Sequence, residues 1–129
     1  MRREGRRERG SAVVEFALVL PMVLVVVLAL VQVGVVIRDQ LLVEAAARAG
    51  ARAAAVQPDA EAVRADAVAA APGLDPALLR VDVTRAGGRG DPVTVAVAYD
   101  DPVRVPLVGW LVGESIAMDA TAVARQEFG

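Results

Sequence analysis

From Phe16 to Ile37 the chain runs for 22 residues without a charge, rich in Val and Leu, with Gln32 its only strongly polar side chain. No other feature constrains the fold as much, because a helix made of this run has no side suited to water. At about 1.5 Å per residue it is ~33 Å long, enough to cross the ~30 Å hydrocarbon core of a bilayer. Its valines are mediocre helix formers in water, but lipid offers the backbone no other partners, and a helix satisfies its own. A buried core helix is the competing reading, and a run of this length favours the span.

The flanks orient it. Residues 1–10 carry five Arg against two Glu, a net of +3, whereas residues 38–129 carry nine Arg against thirteen acids, a net of −4. The excess of basic residues on one side places the amino terminus in the cytoplasm and the remainder outside, a single-pass cell-membrane protein with an extracytoplasmic domain. A removed secretory signal shares the basic start, but its apolar region is about 7–15 residues and ends in a small-residue cleavage site. Here the run is longer and flows into Val35-Val36-Ile37-Arg38-Asp39.

Composition narrows the chemistry. All 14 basic residues of the 129 are Arg; the chain has no Lys, no His and no Cys. Zinc and haem sites, disulfides, a His general base and a Schiff-base lysine therefore have no residues to build them. No cofactor, metal or small-molecule substrate is expected, and the mild acidity gives no footprint for nucleic acid. No Ser or Thr has an activating His or Lys, and no carboxylate pair stands out for a membrane-tethered hydrolase, so the chain reads as a non-enzyme. Asp100-Asp101, with Asp91, offers carboxylates of the kind that bind Ca²⁺, and reads more simply as a solvated turn. Arg89-Gly90-Asp91 sits in a Gly-rich stretch and reads as an ordinary hairpin loop.

Beyond the span the pattern changes twice. Arg38 to Val56 is Ala-rich and free of Pro, so the helix is expected to continue as a stalk, ~69 Å from Ser11 to Val56. Leu41, Leu42, Ala45, Ala49 and Ala53 are expected on one side. Small residues every four positions (Ala45, Ala49, Ala53; Ala46, Gly50, Ala54) permit close packing against a sheet or helix. Pro58, in the first turn, with Asp59 and Glu61 opens a second helix to about Ala71, ended by Pro72-Gly73. The period then becomes two: Leu79, Val81, Val83 and Val93, Val95, Val97, Tyr99 read as strands around a Gly-rich loop. Ser115 to Arg125 reads as a third, with Ile116 and Met118 inward. The fold class is α+β: a long amino-terminal transmembrane and stalk helix, then a small antiparallel sheet domain. Such a small outer domain leans on the Ala-rich helix or on partners. The apolar link Val103 to Gly113, with Trp110, reads as core, partner contact or a membrane foot.

One charge interrupts the apolar start, Glu15 in Gly10-Ser11-Ala12-Val13-Val14-Glu15-Phe16. A carboxylate at the edge of a lipid-facing segment needs a partner or a role. It is either a first-turn acid that snorkels to the interface, or a functional group. A cut after Gly10 would make Glu15 the fifth residue of the mature chain, one helical turn from the new α-amino group of its own chain or a neighbour.

The stretch Arg9-Gly10-Ser11-Ala12-Val13-Val14-Glu15-Phe16-Ala17-Leu18-Val19-Leu20-Pro21 resembles the opening of TadE-like pseudopilins of the tight-adherence (Tad, or Flp) pilus, a type IV pilin-like system. The likeness covers residues 9–34; beyond that it lies in general layout. It implies a pilin-like fold and cleavage between Gly10 and Ser11 by a membrane-embedded prepilin peptidase, with Glu15 guiding assembly. Other pilin or pseudopilin subunits and the Tad secretion machinery become the expected partners. The expected parts are a basic cytoplasmic leader (1–10), a transmembrane and stalk helix (11–57) and an extracytoplasmic α+β domain (58–129). The short major Flp pilin has Tyr after the Glu. Phe16 and the sizeable outer domain therefore favour a minor pilin, either kept in the fibre or only priming it. Pro21 frees the Ala17 carbonyl and is expected to kink the span. The alternative is an uncleaved single-pass scaffold or binding domain facing outside.

Overall fold

A computed structural model describes residues 4–102, 113 and 115–129, with side chains described from Gly10 onward. The elements are α1 (Glu4–Val56), α2 (Ala60–Ala69), β1 (Leu79–Arg85), β2 (Pro92–Pro102) and β3 (Ser115–Arg125). The class is α+β, a long apolar helix followed by a small antiparallel sheet. Two compact units divide the chain, one ending at Gly34 and the other running Val35–Gly129. The apolar link from Val103 to Val112, Trp110 included, lies outside the described residues.

In the first unit α1 is helical throughout and passes through Pro21. Every residue from Gly10 to Val31 is exposed, Phe16 and Leu18 among them. A helix so long and apolar is able to cross a membrane.

In the second unit the three strands lie in the order β1-β2-β3, antiparallel throughout. The register puts Val81 opposite Val97 and Val95 opposite Ala122. Period-two alternation sends Leu79, Val95, Val97, Tyr99 and Met118 to the buried face, while Asp82, Thr84, Asp119 and Thr121 stay exposed. Met118 turns inward as expected, with Ile116 half-buried beside it. On the buried face sit α1 and α2, through Val43, Ala46 and Ala54 of the first and Val63 and Ala67 of the second.

The stripe of α1 that packs differs from one of the two expected. Leu41 is exposed, Ala45 and Ala49 are only half-buried, and the buried set is Val43, Ala46, Ala47, Gly50, Ala51 and Ala53 to Ala55. Alanine surrounds this part of the helix, so periodicity does not mark the inner face; the closest approach does. A Cβ built on Gly50 would lie 3.0 Å from Val95 Cγ1 and 3.5 Å from Ala67 Cβ, so the sheet and α2 both close on the one residue without a side chain.

Local breaks fall where Pro and Gly place them, with one shift. Asp59 caps α2, its carboxylate accepting the Glu61 N–H at 3.0 Å. That leaves Pro58 outside the helix instead of in its first turn, because the capping carboxylate of Asp59 fixes the start at Ala60, two residues later. α2 stops at Ala69, short of Ala71, with Ala70 as its C-cap. Gly73 follows at φ +95°, beside the Arg38 guanidinium.

The end of α1 is sealed from a distance. Its last turn holds no basic residue. Instead Arg85 of β1 donates to Ala54 O at 2.7 Å and Gln57 O at 2.9 Å, and the Glu127 N–H donates to Ala55 O at 2.7 Å. The Arg85 guanidinium also stacks over the Phe128 ring, 5.1 Å from its centroid. A cation and a strand-end amide thus satisfy carbonyls that a helix terminus leaves open. Arg85→Ala is expected to cost about 2 kcal/mol, since two charge-assisted bonds to half-buried carbonyls are lost. Arg85→Lys should recover less than half, lacking the fork that reaches both oxygens. Denaturant unfolding followed by exchange of the β1 amides checks it; equal stability of Arg85→Ala and the parent would refute the seal.

Candidate functional site

The residues singled out near the amino terminus all lie on α1. The helix starts at Glu4, so the Gly10–Ser11 peptide bond is inside a helix and not in the extended form a protease grips. Opening it locally is made easier by Gly10, which holds a helix about 1 kcal/mol less well than Ala. Among the described residues nothing requires a glycine there: a Cβ built on Gly10 meets no atom within 4 Å. Its smallness answers to no packing among the described residues.

Glu15 is exposed and lies one turn after Ser11, whose hydroxyl donates to Glu15 Oε1 at 3.4 Å, a long bond. No salt bridge among the described residues includes Glu15. Phe16 is 67% exposed next to it. Gly10, Ser11, Glu15 and Phe16 therefore form one accessible stretch of helix, with Pro21 further along the same helix. A carboxylate so placed is free to meet a cation from outside the chain.

Acids elsewhere do not assemble. Asp100 pairs with Arg80 at 2.7 Å, Asp101 is buried beside it in sequence, and Asp91 accepts the Gly88 N–H at 3.0 Å. Asp91 precedes β2 and Asp100-Asp101 close it, so roughly 3.3 Å per strand residue keeps them far apart. No group of three or more metal-ligating side chains occurs among the described residues. Arg89-Gly90-Asp91 is part of the β1–β2 loop, where Gly90 takes φ +90° and donates to Gln126 O at 2.7 Å.

At the far end of the apolar run, Asp39 is buried and paired with exposed Arg38 at 2.8 Å. Sequence reasoning gave neither Arg85 nor the tail from Gln126 to Phe128 a role, because the groups they satisfy lie tens of residues away. The one available signal was the missing basic residue in the last turn of α1.

Residues 10–52 match the family model described as TadE-like protein, the same part of the chain that carries Gly10, Ser11, Glu15, Phe16 and Pro21. No curated protein and no solved structure matches the chain.

Proposed function

We propose, from the TadE-like character of residues 10–52, that this chain is a minor pilin or pseudopilin serving assembly of a Tad-type (Flp) pilus. Residues 1–10 are a cytoplasmic leader, a prepilin peptidase cuts after Gly10, and α1 spans the membrane once across Phe16–Ile37. Residues 58–129, with the stalk, face outside. The chain works by helix contact with other pilin subunits and the Tad machinery and carries out no catalysis. The observation that supports this best is the accessible pair of Gly10, without a packing reason among the described residues, and Glu15, whose one hydrogen bond among them is the long one from Ser11. The charge asymmetry across the apolar run supports the orientation.

Amino-terminal sequencing of the protein recovered from its own membranes is the test. A mature chain starting at Ser11 is expected, and Gly10→Val should leave Met1 as the first residue. An uncleaved single-pass scaffold is the second reading, favoured by the helical backbone at Gly10–Ser11. An unmodified parent chain starting at Met1 would establish it instead.

A further inference from the structure

The third strand has an open edge. Gln126 N–H donates to Asp91 O at 2.9 Å, so the even-numbered residues of β3 point their backbone groups at β2. Odd-numbered residues then point theirs outward. Gln40 Nε2 donates to the outward Asp119 carbonyl at 3.1 Å, and Glu127 N–H reaches Ala55 O past the strand end. Between those two ties, the outward backbone groups of Thr121 and Val123 have no partner among the described residues. Proteins normally blunt such an edge with Pro, bulges or covering chain; among the described residues nothing of the kind lies between the ties.

The edge borders a groove. One part, about 440 Å³, is lined by Arg48 and Arg52 of α1, Ala122 and Ala124 of β3 and Ala70 at the end of α2. A second part, about 290 Å³, continues past Arg48 to Glu44 and Gln40. Arg52 has no acid partner among the described residues, and Arg48 holds Glu44 only at 3.4 Å. Because Gln40 meets Asp119 and Ala55 meets Glu127, α1 and β3 advance in the same direction. Four helical residues rise about 6 Å and two strand residues about 6.6 Å, so Arg48 and Arg52 are spaced like alternate side chains of a strand laid beside β3.

We propose that this edge and groove take a short extended segment of a partner protein as a fourth strand, bearing carboxylates two residues apart that meet Arg48 and Arg52. The backbone of the segment pairs with Thr121 and Val123. Its outward side chain lies beside Val123, which is 64% exposed, and is aliphatic or β-branched. Glu44 disfavours a third acid at the position next to it. Addition of a strand supplies the affinity and the two arginines supply the selectivity. The surface belongs to the packed unit and does not depend on whether residues 1–10 are removed.

The test uses the full chain in detergent micelles and the probe fluorescein-Gly-Val-Glu-Val-Glu-Val-amide, followed by anisotropy, with Lys in place of both Glu as the control. The Glu probe is expected to bind at least 10-fold tighter than the Lys probe. In the double variant Arg48→Glu/Arg52→Glu, two exposed changes that leave the core alone, the preference should reverse. Val123→Pro removes an outward N–H without touching the ladder to β2 and should abolish binding while β2 amides stay protected. If that variant loses β2 protection, the charge reversal decides alone. Equal binding of the two probes, no binding at all, or an unchanged preference in the double variant would overturn the proposal. So would Val123→Cys chains that cross-link to one another in micelles, because a second copy would then occupy the edge.

Discussion

Gly50→Leu is expected to cost the packed unit about 3 kcal/mol, while Gly50→Ala should shift it by less than about 1 kcal/mol in either direction. A Cβ at position 50 already meets Val95 Cγ1 at 3.0 Å, Ala67 Cβ at 3.5 Å and Val63 Cγ1 at 3.8 Å. Alanine adds that one contact, and a shift of a few tenths of an ångström relieves it. The helix propensity it gains, about 1 kcal/mol, offsets the strain. Leucine adds three further carbons where sheet and α2 converge. Val95, Val63 and Ala67 are all buried, so none has open space to move into. Exchange of the β2 amides in the full chain measures both. The Leu variant should exchange roughly 10²-fold faster, since about 1.4 kcal/mol is tenfold, and the Ala variant within tenfold of the parent. A Leu variant as well protected as the parent would mean that α1 does not approach the sheet at residue 50.

That position also shows where the sequence stops being informative. The span, the Ala-rich continuation to Val56, the breaks at Pro58 and Pro72-Gly73 and the three strands were all legible, because each rests on a local signal: length of an apolar run, a ring that lacks an N–H, or alternation. The inner face of α1 was legible only in part. Ala46, Gly50 and Ala54 stood out as a small-residue stripe, yet so did Ala45, Ala49 and Ala53, and in the structure Ala53 packs while Ala45 and Ala49 are only half-buried. With alanine on nearly every side, hydrophobicity cannot rank the faces, and the choice is made by what the sheet offers, chiefly Val95. The seal by Arg85 was not legible at all, since its acceptors Ala54 and Gln57 lie 31 and 28 residues away. At the amino terminus the residue types of Gly10, Ser11, Glu15 and Phe16 were plain. The helical setting of Ser11, Glu15 and Phe16 was legible too, but that of Gly10 was not, because the expected helix began at Ser11 and the one found begins at Glu4.

Glu15→Ala should leave the amount of protein in the membrane unchanged and lower its recovery with sheared pili at least tenfold. The side chain is exposed and, among the described residues, its one hydrogen bond is from Ser11 Oγ at 3.4 Å, so its removal takes nothing from the packed unit, which begins at Val35. Insertion should not suffer, because a carboxylate at the edge of an apolar span opposes entry into lipid and its loss removes no favourable term. On the proposed function, a carboxylate that interrupts an otherwise apolar start at no gain to the isolated chain serves a partner met after processing. Once the chain begins at Ser11, the nearest cation of matching kind is an α-amino group, its own or a neighbour's, one helical turn away. In lipid such a pair is little screened, and the unpaired carboxylate would keep an incoming subunit from settling beside others. Glu15→Gln keeps the shape without the charge and should fail like Ala, whereas Glu15→Asp should retain part of the assembly. Ser11→Ala tests the local bond: if Ser11 is only an incidental neighbour, recovery stays at the parent level. Normal recovery of the Glu15→Ala and Glu15→Gln chains with pili would mean the carboxylate merely favours the helix start, and that assembly rests on the apolar face of α1 alone.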